Sequence, residues 1–361
     1  MKKSRFLLII AFLFCSNIVV IHLSAQPKAT RGERAAALIQ AFLTENKISG
    51  MAVSVGIEGK IAWSDGFGYA DLEQRVPVWP ALTRFRVGSV AKPMTATAIA
   101  QLLEQGKLDL DVPIQNYVPS FPEKEGIITT RLLAGHLAGI RHYKNDEFLS
   151  AKHYETVLEG LEIFQNDPLL HPPGTKYKYS SYAWNLLSAI VEGASATNFL
   201  QYMNNAVFKP FEMNHTIADH VDSIIVNRSR YYELQEGNHV NSPYVDNSYK
   251  WAGGGFLSTS EDLVRFGFAH LDTNFLKKET IELLWTPQQT TAGESTNYGL
   301  GWRIKTDDQG RRHVGHGGGS VGGSTFFGMY PAEQVVLVII SNMSDVGYGE
   351  LPGQIYDVFM E

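Results

Sequence analysis

The sequence predicts an α/β fold of the α+β type: an antiparallel sheet flanked by helices, with a mostly helical subdomain set between the two halves of the sheet. Three observations carry this. Strand-like runs separated by turn signals occur near the start of the chain and again in its last third. Segments with apolar residues at helical spacing border both regions. Between them, over residues 108–244, lie short helical pieces, several prolines and little alternation. A sheet completed by both ends of the chain, with helices packed on it, satisfies all three.

At 361 residues, with 44% hydrophobic and 19% charged, the chain suits one large domain or two interleaved subdomains of a soluble enzyme. Its first residues form a separate module. Lys2, Lys3 and Arg5 precede an apolar run over residues 6–23, which ends in Leu23-Ser24-Ala25. This is the pattern of a secretory signal, with cleavage expected after Ala25. The alternative is an uncleaved membrane anchor, since the run is nearly long enough to span a bilayer. Ser16, Asn17 and His22 interrupt it and favour cleavage. The remaining 26–361 would carry 28 basic and 37 acidic residues, so 28 − 37 = −9. With no basic run or patch, nucleic-acid binding has no electrostatic footprint. The single cysteine, Cys15, falls in the signal, which leaves the exported part without disulfide or thiol nucleophile. A periplasmic or secreted bacterial protein fits that usage.

Taken in order, residues 32–46 place Ala36, Leu38, Ile39, Phe42 and Leu43 at helical spacing. Runs 51–57 and 60–65, joined by Glu58-Gly59, read as a hairpin. A helix begins near Ser89 and runs to Gln105, with Gly106 past its end. In the middle region, 127–137 and 181–194 are the clearest helical pieces. Residues 258–271 form an amphipathic helix capped by Thr259 or Ser260, with Glu261 and Asp262 in its first turn. Strands follow at 298–304, 311–315, 324–330 and 335–341, and a helix at 351–360 closes the chain. The α/β part is thus about 30–107 with 245–361, and the helical insertion about 108–244.

The stretch Phe85-Arg86-Val87-Gly88-Ser89-Val90-Ala91-Lys92-Pro93 sets a hydroxyl and an amine three residues apart where a helix starts. On a helix they share a face, and the helix N-terminus favours a developing anion. Three later stretches could answer it. His171-Pro172-Pro173-Gly174-Thr175-Lys176-Tyr177-Lys178-Tyr179-Ser180-Ser181 presents Tyr179 at a loop–helix junction. Trp251-Ala252-Gly253-Gly254-Gly255 is a glycine-rich entry to a helix. Gly315-His316-Gly317-Gly318-Gly319-Ser320-Val321-Gly322-Gly323 puts glycines where a strand belongs, which suggests close approach by a ligand or another backbone. His136, His142, His313 and His316 show no metal-ligand spacing such as His-Glu-x-x-His. No Gly-x-x-x-x-Gly-Lys-Ser/Thr phosphate loop occurs in the sequence.

Ser-x-x-Lys, a Tyr-x-Asn-type box about 90 residues on, and a Lys/His-x-Gly strand resemble the serine β-lactamase and penicillin-recognising family, in its class C β-lactamase-related branch. That branch includes D-Ala-D-Ala carboxypeptidases, D-aminopeptidases, esterases and a mitochondrial serine β-lactamase-like protein. Stretches 85–92, 129–140, 173–192, 249–267 and 315–323 match in order. The resemblance implies a serine hydrolase working through an acyl-enzyme, without cofactor or metal. Its substrate would be a small peptide, ester or β-lactam, with peptidase ranked above esterase and both above β-lactamase. By the same resemblance Ser89 is the nucleophile, Lys92 the amine that relays its proton, and Tyr179 the proposed general base for Ser89 and acid for the leaving group, with either Lys92 or Tyr179 taking the first proton. His316, Gly318 and Ser181 fall at substrate-side positions, and the N–H groups of Ser89 and Gly319 at the oxyanion hole. Two positions depart from the family's pattern. Ser181 stands where the box often has Asn, and His316 replaces the lysine of typical β-lactamases. Both argue against efficient β-lactam hydrolysis. His136, in Ala134-Gly135-His136-Leu137-Ala138-Gly139, resembles a structural marker.

Overall fold

The computed structural model describes residues 29–361, so the expected signal segment lies outside the described residues. Every residue of Val335–Ser341 (VVLVIIS) is buried, as a strand covered on both faces requires. Alternation sorts its side chains: Val335, Leu337 and Ile339 join one apolar cluster, and Val336, Val338 and Ile340 join another.

This strand is the middle of a seven-stranded antiparallel sheet. In chain order the members are β1 (Gly50–Ile57), β2 (Lys60–Asp71), β3 (Val76–Pro77), β4 (Arg303–Thr306), β5 (Arg312–Ser320), β6 (Gly323–Tyr330) and β7 (Val335–Ser341). Their spatial order is β3-β2-β1-β7-β6-β5-β4, so the two ends of the chain meet where β1 pairs with β7, with Val53 opposite Ile339 and Val55 opposite Leu337. The expected antiparallel sheet completed by both ends is therefore the observed one.

The helices that matter for the site are α1 (Arg31–Glu45), α2 (Ala91–Glu104), α3 (Ser181–Ser195), α4 (Trp251–Gly254), α5 (Ser260–Leu271) and α6 (Leu351–Met360). Ala35 and Ile39 of α1 and Ile355 and Phe359 of α6 cover one face of the sheet. Leu263, Val264 and Phe266 of α5 cover the other, in a cluster that continues into α2 and α3. Each such Leu, Ile, Val or Phe side chain removed from water contributes about 1.5–3 kcal/mol. Thr30 builds a capping box with Glu33 at the start of α1, and Thr259 caps α5 by accepting from Asp262 N.

Four expected boundaries differ. The helix expected over 127–137 is only Thr130–Ala134, because Gly135 and the positive φ of His136 (59°) turn the chain away. Tyr298 to Trp302 is no strand: Gly299 N donates to Trp302 O at 2.8 Å, Gly301 has φ 87°, and pairing starts only at Arg303. Strand β2 runs on to Asp71, and β5 keeps its pairing through Gly317, Gly318 and Gly319 to Ser320.

A three-stranded ribbon (Ile217–Ala218, Phe256–Ser258 and Phe85–Arg86) ties the middle region to the segment carrying Ser89. Behind it, Arg86 Nε donates to Asp219 Oδ2 at 2.7 Å, and Arg86 also donates to Val321 O at 2.9 Å, at the β5–β6 turn. Asn247 Nδ2 donates to the same Asp219 oxygen at 2.8 Å. Asp219 is fully buried and Arg86 nearly so, so deleting the carboxylate would strand a charge. Asp219→Ala is expected to cost about 3–5 kcal/mol of unfolding free energy, read from denaturant midpoints. A loss under about 1 kcal/mol would mean the pair is not holding these three segments together.

Candidate active site

Val87 to Val90 turns tightly between the short strand Phe85–Arg86 and α2. Gly88 takes φ 53°, and a 3-10 turn over Gly88–Val90 feeds directly into α2. Ser89 stands in that turn, half-buried, with its hydroxyl facing a cavity of about 450 Å³. Lys92, one helical turn on, is fully buried, and its Nζ lies 3.0 Å from Ser89 Oγ. The same Nζ donates to Gly253 O, in α4, at 2.7 Å and lies 3.2 Å from Ser181 Oγ at the start of α3. Tyr179 OH donates to Ser89 Oγ at 2.9 Å from the side opposite in sequence.

The electrostatics follow from burial. Lys92 is held well below the ordinary lysine range, first by desolvation and then by the cations of Lys250 and Arg303. A neutral amine has two N–H donors and one lone pair. Gly253 O can only accept, and Ser181 Oγ can take the second N–H, so the lone pair is left for the Ser89 proton. Burial pushes the Tyr179 phenol up to about 12, so at neutral pH it keeps its proton and donates it.

Two histidines hold Tyr179 and the start of α3 in place. Ser180 N donates to His136 Nδ1 and Ser181 N to His142 Nδ1, both at 3.1 Å. The His136 ring also lies 4.3 Å from the Tyr179 ring. Accepting at Nδ1 fixes each as the neutral Nε2–H tautomer. Burial depresses both, His142 to about 4 and His136 well below its usual range, with Lys92 adding to each.

His316 and Gly318 occupy the opposite face of β5 from Gly317 and Gly319, as strand alternation demands. Gly319 faces the cavity; His316 is buried behind Tyr179, its ring centroid 6.3 Å away. Its Nδ1–H donates to Gly317 O at 2.6 Å and its Nε2 accepts from Tyr298 OH at 2.9 Å. Desolvation, Lys92 and Arg303 keep it neutral, so it presents no cation to the cavity. Gly318 lies against the Ser89 turn: a Cβ there would stand 2.0 Å from Val87 O and 3.3 Å from Ser89 N. That close approach sets the Ser89 and Gly319 backbones side by side at the mouth of the cavity.

Residues expected from the sequence thus converge within hydrogen-bond reach for Ser89, Lys92, Tyr179 and Ser181. Two were missed. Arg303, on β4, has its guanidinium carbon 5.8 Å from the Tyr179 ring centroid. Lys250 lines the cavity directly before α4. A lysine between two aromatics at the edge of a glycine run, Tyr249-Lys250-Trp251, was the available signal.

Comparison with known proteins places this geometry. Residues 35–351, most of the chain, match the family described as Beta-lactamase. The chain is 34% identical over 406 aligned positions to the human serine beta-lactamase-like protein LACTB, mitochondrial, covering 82% of this chain and 74% of that one. Among solved structures, the penicillin binding protein from Bacillus halodurans superposes with TM-score 0.76 at 25% identity, over 89% of this chain and 99% of that one. EstCE1, a hydrolase with promiscuous acyltransferase activity, has the same fold at TM-score 0.78 and 22% identity, covering 92% and 98%. The chain belongs to the beta-lactamase family, among its penicillin-binding-protein-like serine hydrolases.

Proposed function

We propose that this protein is an exported hydrolase that acylates Ser89 and cleaves a peptide or ester bond in a small substrate. The observation that carries the reading is Ser89 Oγ bonded at once to a buried amine (3.0 Å) and a protonated phenol (2.9 Å). As Ser89 Oγ attacks the substrate carbonyl, its proton passes to the lone pair of Lys92. The tetrahedral oxyanion sits against the N–H groups of Ser89 and Gly319. Tyr179 then gives its proton to the departing amine or alkoxide and recovers one from the Lys92 ammonium. Water attacks the acyl-enzyme along the reverse route, and Ser89 regains its proton.

Cleavage of an amide or ester ranks above β-lactam hydrolysis because His316, at the position of the lysine in typical β-lactamases, is neutral and turned behind Tyr179, so the charge supplied there is missing. EstCE1, a hydrolase with promiscuous acyltransferase activity, and the penicillin binding protein from Bacillus halodurans share this fold, which supports an acyl-transfer chemistry. The test is steady-state and burst kinetics on peptide amides, aryl esters and a penicillin, with Ser89→Ala as blank. Multiple turnovers of an amide or ester, absent from the blank, support the proposal. One acyl group per protein and no release would instead make it a penicillin-binding sensor, and rapid penicillin turnover a β-lactamase.

A further inference from the structure

Lys250 is 2% exposed, and its Nζ is one of the buried polar atoms with no hydrogen-bond partner among the described residues. Three aromatic rings surround it, with Nζ 4.4 Å from the Phe148 centroid, 5.2 Å from Tyr249 and 5.8 Å from Tyr143. Ring faces stabilise an ammonium, but they do not replace the hydrogen bonds it loses on leaving water, and burial lowers Lys250 to about 7 until an anion restores its charge. Asp219, whose charge acts on it, is already committed to Arg86 and Asn247. Yet Lys250 lines the same cavity as Ser89, Tyr179 and Gly319, three residues before the carbonyl that anchors Lys92. A buried lysine with unmet donors and a wall on the nucleophile's cavity is a site waiting for an acceptor. Carboxylate is the group whose charge and lone pairs both fit.

Resting on the acyl-enzyme reading above, we propose that Lys250 is the subsite for a substrate carboxylate, so that the preferred substrates of Ser89 are acidic. The aromatic walls exclude water and strengthen the pairing. Two sources share this chemistry: an acidic side chain on the acyl portion, or the free terminal carboxylate of a leaving amino acid. Glu233 and Asp345, also on the cavity lining, leave that part of it unsuited to an anion and put the carboxylate at the Lys250 end.

The experiment measures kcat/KM of the full chain on acyl-aminocoumarin amides ending in Glu, Gln, Asp or Asn, and on dipeptides with free or amidated C-termini. Wild type, Lys250→Met and Lys250→Arg are compared. The proposal expects a preference of about tenfold or more for the carboxylate member of one pair, retained by Lys250→Arg and collapsed toward one by Lys250→Met. A Glu/Gln or Asp/Asn preference assigns the acyl side chain, and a free/amidated preference assigns the leaving group. Because each ratio is internal to one variant, a partly folded sample does not distort it. If Lys250→Met cannot be folded, wild type must still favour the carboxylate members and be protected by N-acetylglutamate, not N-acetylglutamine, against fluorophosphonate labelling. Ratios near one throughout wild type, or a preference unchanged by Lys250→Met, overturn it. Failure of wild type to label with the fluorophosphonate at all would strike the acyl-enzyme reading instead.

Discussion

Lys92→Met is expected to slow acylation of Ser89 by about 10³-fold or more, while leaving the fold in place. Methionine has a similar length and suits a fully buried position, so the loss isolates the amine. Among the described residues, no other group is placed to take the Ser89 proton. Tyr179 is a phenol pushed up to about 12, His136 and His142 accept through Nδ1 and so carry their proton on Nε2, and both ring nitrogens of His316 are bonded elsewhere. The pH profile checks the same claim. Lys92 works as the free amine, so activity must rise as pH climbs through its pKa. Because burial and the cations of Lys250 and Arg303 lower that pKa well below 10.5, the acid limb must lie far below the ordinary lysine range. On the alkaline side the phenol keeps its proton to about 12, and no second fall is expected before then. Stopped-flow acylation rates across pH, for wild type and Lys92→Met, read both. An acid limb at an unshifted lysine pKa, or a Lys92→Met enzyme within tenfold of wild type, would contradict the assignment.

Gly318→Ala is expected to be nearly as damaging although it adds one methyl. That carbon would fall 2.0 Å from Val87 O, a backbone atom with no rotamer to escape into. Strand β5 must then draw away from the Ser89 turn, and the two N–H groups facing the oxyanion separate. Losing one such donor typically costs 10²–10³ in kcat. Gly317→Ala is the control, since its added methyl meets only Thr325 O at 3.9 Å. Measured kcat should fall about 100-fold for the first substitution and change little for the second. Equal behaviour of the two would mean the β5 approach does not set the oxyanion geometry.

How much of this was legible in the sequence depends on the range of the interactions. The hairpin of β1 and β2, the buried run of β7 and the capped helix α5 are local patterns of alternation, apolar period and capping, and they read through directly. The nearness of Ser89 and Lys92 was legible because i, i+3 spacing at a helix start brings them together without help from the rest of the fold, but their roles came from the family resemblance. Tyr179 needed the family resemblance, since 90 residues separate it from Ser89. The strand expected at 298–304 failed because Gly299 and Gly301 fold the chain back before β4 begins. The placement of His316 follows from strand alternation, which sets it on the same face as Gly318 and away from Gly319. Lys250 carried only its place between two aromatics as a local signal, and Arg303 carried none. Their importance comes from burial against elements far away in sequence: Phe148 and Tyr143 for one, Tyr179 and Tyr298 for the other.

The central claim is that Ser89 is an activated nucleophile. Intact-protein mass after exposure to a fluorophosphonate, on wild type and Ser89→Ala side by side, tests it most directly. The account predicts a single added phosphonyl group on wild type and none on Ser89→Ala. An unlabelled wild type, or an equal adduct on both proteins, would contradict it.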